Sequence, residues 1–179
     1  MMARMFVSVP VADTSWSTSV SDALRACKGV RASPPEQLHI TLRFIGDIDE
    51  SRIPALVSAI EAACAGTGPF EVSIKGIGCF PNEKRPSVVW VGAEPHDRLT
   101  ALSDGMSRQL KKAHFRFDEK PFKSHITVGR CNGPTDISEV LAQYRGAEFC
   151  TFGCDHVAVV RSFLGPSGAR HKVAAEIKL

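Results

Sequence analysis

One tetrapeptide pattern occurs twice in this chain. His39-Ile40-Thr41-Leu42 returns 86 residues later as His125-Ile126-Thr127-Val128. At the same offset Val20 matches Met106, Leu24 matches Leu110 and Cys27 matches Ala113, without a gap. Each copy therefore reads as an amphipathic helix feeding a strand, and the chain as two similar halves. A period this long, present only twice, excludes a solenoid. A quasi-twofold axis between the halves brings the two repeated strands to one cleft.

The remaining periodicity fits that frame. Helical stripes run over residues 20–27, 53–64, 99–113 and 137–144, with Gly29, Gly66 and Gly146 as stops and Asp97 as a candidate N-cap. Strand-like segments cover 5–10, 38–45, 70–75, 88–91, 124–130, 149–152, 156–161 and 171–179. Helices and strands intermix throughout, an α+β or α/β pattern with two sheets or one large one. No low-complexity linker divides the 179 residues, so a single domain over 1–179 is expected.

Composition narrows the class. With 44% hydrophobic residues, 23% charged and a net charge of +3, the chain can bury a core and does not match a disordered segment. No apolar run approaches the roughly 20 residues that span a bilayer, and the opening apolar stretch is too short for a signal peptide. The six cysteines form no Cys-x-x-Cys pair. Free thiols in a reducing, cytoplasmic setting are expected, with Cys27 and Cys64 acting as small hydrophobes on helix faces. Between Arg108 and Arg130 lie seven bases and two acids, a net +5. Such a run is either a solvated face or a phosphate-attracting surface.

Side chains alternate along a strand. His39 and Thr41 then share one face, as do His125 and Thr127, while Ile40, Leu42, Ile126 and Val128 point into the core. Each strand offers the cleft an imidazole and a hydroxyl about 7 Å apart. Imidazole exchanges protons near neutral pH, and a pair can act as base and acid in one displacement. Phosphodiester cleavage needs this arrangement, because nucleophile and leaving oxygen lie on opposite sides of phosphorus. Threonine hydroxyls suit the non-bridging oxygens. A metal site is the rival reading, but neither motif carries a glutamate or cysteine ligand. His96, His114, His156 and His171 have no repeated partner, and His171 is held in reserve. Arg43 lies one step beyond Thr41 on the His39 face by alternation, a candidate phosphate contact. Alternation puts Arg130 off the His125 face unless the strand bulges there. Phe80 and Phe122 are candidates for stacking on a base, with core packing as their other use.

The paired motifs resemble those of the two-histidine phosphoesterases. Within these the nearest likeness is to bacterial and archaeal RNA 2′,3′-cyclic phosphodiesterases, also described as 2′-5′ RNA ligases. The likeness runs nearly end to end, through residues 5–10, 36–46, 76–81, 88–92, 122–130 and 161–164 with Gly168. It departs at Ser124, where the family commonly has proline, and at His171, where it commonly has tyrosine. The resemblance implies a bilobal α+β fold, with two antiparallel sheets about a central cleft and helices packed outside. It implies hydrolysis of RNA 2′,3′-cyclic phosphate ends, or of small cyclic nucleotides, to 2′-phosphomonoesters without metal or other cofactor. His39 would be the proton donor, His125 the base, and Thr41 and Thr127 the phosphate contacts. Arg43 and Arg130 remain equally plausible further contacts. A monomer with no membrane association is expected. A 2′-5′ oligonucleotide phosphodiesterase or RNA-end ligase at the same site, and a non-catalytic RNA-binding module, are the competing functions.

Overall fold

A computed structural model describes residues 1–179. The order is β1 (Met2–Pro10), α1 (Ser17–Arg25), β2 (Val30–Ala32), β3 (His39–Asp49), α2 (Ile53–Cys64), β4 (Phe70–Phe80), β5 (Val88–Glu94), α3 (His96–Lys112), β6 (His125–Cys131), α4 (Ser138–Tyr144), β7 (Glu148–Cys154), β8 (His156–Gly165) and β9 (Gly168–Lys178). The four expected helices and eight expected strands are present, most strands running longer than their pattern. Only β2 has no counterpart in the sequence pattern, because three residues carry no readable period. Asp97 is not the cap of α3. Pro95 holds that position, and the Asp97 carboxylate accepts the Arg98 N–H from inside the first turn. All six cysteines are free. No helix is long and apolar enough to cross a membrane.

Every strand pairing is antiparallel. One half of the fold is β7-β4-β5-β6, with β2 on β6, and the other is β3-β1-β8-β9. The halves meet at a single residue pair, Ile40 opposite Ile126, which joins them into one nine-stranded sheet. Those two residues are copies of each other in the 86-residue repeat. An antiparallel pair that sets a residue opposite its own copy has a local twofold axis at that point. The repeat therefore places the dyad between the two His-x-Thr strands.

The helices cover one face of this sheet. Ile40, Leu42, Ile126 and Val128 are buried in one cluster with Val20, Leu24, Met106 and Leu110. Helix α1 packs on β2 and β6, whereas α3 packs on β3 and β5. Each repeated helix thus lies on the strand of the other copy. The fit is close at Gly129, where a Cβ would stand 3.1 Å from Leu24 Cδ1.

A bulge interrupts both repeated strands at the same place. Along β1, Val7 faces Arg43 and Ser8 faces Thr41, so Leu42 is an extra residue in β3. Along β5, Val89 faces Gly129 and Trp90 faces Thr127, so Val128 is extra in β6. One extra residue reverses the alternation beyond it. Leu42 and Arg43 are consequently both buried, and Phe44 rather than Arg43 follows Thr41 on the open face. The copy of Phe44 is Arg130, which the second bulge turns to the open face by the same shift. The carbonyl of Leu42 is satisfied by the Ser103 hydroxyl of α3 at 2.7 Å.

Candidate active site

The face opposite the helices carries a cavity of about 360 Å³. His39, Thr41, His125, Thr127 and Arg130 all line it. In an ideal ladder about the Ile40–Ile126 pair, His39 stands across from Thr127, and His125 across from Thr41. The imidazoles are then diagonal neighbours, with Cα atoms about 7–8 Å apart.

Both rings are pinned the same way. His39 Nδ1 lies 2.7 Å from the carbonyl of Gln37, and His125 Nδ1 lies 2.6 Å from the carbonyl of Lys123. In each case the partner is two residues upstream, just before the strand begins. A carbonyl only accepts, so each Nδ1 carries a proton and donates it. The Nε2 atoms are left for chemistry. His39 Nε2 is 3.0 Å from Thr41 Oγ1, while His125 Nε2 has no partner within the protein. In the neutral ring, the Thr41 hydroxyl donates to His39 Nε2.

Aromatic groups hold the rings in place. Phe6 stacks on His39 with centroids 4.9 Å apart and planes 25° from parallel. His171 meets both edge-on, at 4.9 Å from Phe6 and 5.5 Å from His39. Phe80 and Trp90 stand edge-on to His125, at 5.3 and 6.4 Å. Trp90 lies so close over Gly78 that a Cβ there would clash with the indole.

Burial controls the protonation of the pair. It pushes His39 down from 6.5 to about 4, against the stabilising carbonyl of Gln37, and the nearby His171 and His125 add to the fall. His125 is also held below its ordinary value, first by burial and then by the charges of Lys123 and Arg130. His171 is lowered by burial alone. An uncharged pair is the resting state at neutral pH.

Three expected contacts, Arg43, Phe122 and Phe80, do not line the cavity. Arg43 is turned to the helix side by the Leu42 bulge, not onto the His39 face. Its Nη1 donates to the carbonyl of Lys120 at 2.8 Å, its Nε to that of Ser103 at 3.4 Å, and its Nη2 pairs with Asp104 at 3.6 Å. It ties α3 and the following loop to β3. Phe122 is also off the cavity wall, stacked parallel to His96 at 6.3 Å. Phe80 borders His125 but does not line the cavity, and its ring is engaged by Trp90 and by Lys123 Nζ at 4.9 Å. The aromatic groups on the wall are Phe6 and Phe44, joined by Arg31, Ser33, Gln37 and His171. The repeat offset held the signal for Phe44, which is the copy of Arg130. At Ser124, the hydroxyl meets His96 Nδ1 at 2.7 Å, so a side-chain hydrogen bond secures the start of β6.

No group of three or more His, Cys, Asp or Glu side chains is placed to hold a metal ion. The cavity offers imidazole nitrogens, hydroxyls and guanidinium groups, a set suited to an oxyanion.

Known proteins resemble this chain in sequence and fold. An RNA 2′,3′-cyclic phosphodiesterase of Archaeoglobus fulgidus is 34% identical over 173 residues, 94% of this chain and 96% of its own. One from Methanothermobacter thermautotrophicus is 30% identical over 174 residues, covering 94% of each chain. The crystal structure of TT0787 from Thermus thermophilus superposes with a TM-score of 0.85 at 27% identity, over 98% of this chain and 97% of that one. Escherichia coli LigT complexed with 3′-AMP, at 18% identity and a TM-score of 0.79 over 100% and 99% of the two chains, shares the fold. The profile of the 2′-5′ RNA ligase superfamily matches residues 12–164, a span that holds both His-x-Thr strands and the helix before each, and this chain belongs to that superfamily.

Proposed function

We propose that this protein hydrolyses 2′,3′-cyclic phosphate ends of RNA to 2′-phosphomonoesters, with residues 1–179 acting as one two-lobed unit. The observation that carries the reading is the pair of imidazoles lining one cavity, each ring oriented by an Nδ1–H bond to a carbonyl. The relatives named RNA 2′,3′-cyclic phosphodiesterase support it.

The reaction divides between the two rings. His125 is the less buried, and its Nε2 has no protein partner, which suits a base that meets water. It takes a proton from the attacking water as the new P–O bond forms. The P–O3′ bond breaks, and His39 Nε2–H gives its proton to the leaving 3′ oxygen. The product keeps phosphate on the 2′ oxygen. Thr41 and Thr127 donate to the non-bridging oxygens. Charging His39 frees the Thr41 hydroxyl from Nε2, so proton loading and phosphate binding favour each other. No metal is required, because the acid protonates the leaving oxygen directly.

With a 5′ hydroxyl in place of water, the same proton transfers form a 2′-5′ linkage. The superfamily's description motivates this second reading. A binding module without catalysis has no use for two oriented imidazoles.

The test is adenosine 2′,3′-cyclic phosphate in EDTA, followed by phosphorus NMR. Release of 2′-AMP supports the proposal. Release of 3′-AMP alone, or no turnover, refutes it.

A further inference from the structure

Two arginines face each other across the ladder beside the catalytic pair. In the β2–β6 pairing, Arg31 is directly opposite Arg130. Like charges in that position repel. Neither guanidinium has a carboxylate within salt-bridge distance. Both line the cavity.

The Arg31 guanidinium is also held in place. Its Nη2 donates to the carbonyl of Ser167 at 3.3 Å, in the turn between β8 and β9. At Gly168 a Cβ would lie 3.2 Å from that nitrogen, and φ is +109°. Glycine lets the turn close over the guanidinium. One of its five N–H groups is used there, and the others remain for a ligand.

We propose that Arg31, with Arg130 across from it, binds a second phosphate: the one on the 5′ oxygen of the terminal nucleotide. This rests on the phosphodiesterase reading, in which the histidine and threonine end takes the reacting phosphate. The cavity continues from there to Arg31. Its volume of about 360 Å³ sits near the lower end of ligand pockets, roughly 300–1,000 Å³, and suits one nucleotide. The phosphate linking that nucleotide to the rest of the chain then reaches the arginines and relieves their repulsion. The preferred substrate is an RNA end rather than a free nucleoside cyclic phosphate.

The test compares 2′-AMP with adenosine 2′,5′-bisphosphate by calorimetry, and adenosine 2′,3′-cyclic phosphate with its 5′-phosphorylated form by turnover. The wild type should favour the 5′-phosphorylated member by about tenfold, the range of one charge-assisted hydrogen bond. In Arg31→Ala that ratio should fall towards one, and Arg31→Lys should keep part of it. An equal loss for both members of each pair would mark Arg31 as a structural tie and overturn the proposal. Turnover without any 5′-phosphate preference would also overturn it, leaving the phosphodiesterase reading intact. Preferential bisphosphate binding without turnover would sink that reading and keep the second phosphate site. Loss of both would remove both.

Discussion

His39 cannot serve as an acid in the state the protein alone gives it. Burial holds it at about 4. At pH 7 only about one ring in a thousand is then protonated. A bound phosphate changes this. One negative charge about 4 Å from the ring, at an effective dielectric constant of about 20, contributes roughly 4 kcal/mol. That is about a thousandfold in protonation and lifts His39 to about 7. Under the proposed mechanism the substrate therefore loads the acid that cleaves it. The prediction is checked by following the His39 Cε1 proton and carbon resonances against pH, with and without saturating 2′-AMP, assigned through His39→Gln. The free ring should titrate near 4 and the complexed ring about three pH units higher. A midpoint that stays near 4 under saturating ligand refutes the reasoning.

Further outcomes follow from particular contacts. Both imidazoles of the free protein lie below 6.5, so the bell-shaped profile of kcat/KM should peak below pH 6.5, its limbs belonging to the pair. The acid limb is protonation of the base and the alkaline limb is loss of the acid's proton. The profile of kcat should sit at higher pH, because bound phosphate raises both groups. A kcat/KM maximum above pH 6.5, from a stopped-assay pH series, would contradict this. Arg43→Met removes two hydrogen bonds to carbonyls and a partner of Asp104, and should cost about 2–4 kcal/mol in urea unfolding. Its KM for cyclic phosphate should match the wild type, since Arg43 does not line the cavity. Gly78→Ala forces a methyl into the Trp90 ring and should cost about 1–3 kcal/mol, read as a lowered Tm. An unchanged Tm would show that the indole yields freely.

The repeat makes most of the site legible before any coordinates. His39, Thr41, His125 and Thr127 line one cavity, because alternation holds up to the threonine in each strand. It fails one residue later. A bulge leaves no signature when the extra residue is Leu42 or Val128, since both read as ordinary core positions. Alternation therefore puts Arg43 on the wrong face, and Arg130 on the right one only under the bulge condition. Gly129, the copy of Arg43, is the available hint of irregular backbone. Arg31 is invisible for another reason. It sits in a three-residue strand, and its importance comes from a neighbour 99 residues away in sequence. The aromatic wall is misplaced because Phe6, Phe44, Phe80 and Phe122 are alike in composition, and only the pleat distinguishes them. The Ser124 hydroxyl, just before β6, is held by its hydrogen bond to His96.

Proton donation to the leaving oxygen by one ring, and proton removal from water by the other, can be separated with a single substitution in the substrate. Replacing the 3′ bridging oxygen of adenosine 2′,3′-cyclic phosphate by sulfur gives a leaving group that departs as thiolate without an acid. On this substrate His39→Ala should recover most of its lost rate, and His125→Ala should not. Equal losses on the oxygen and sulfur substrates for both variants would contradict the assigned division of labour.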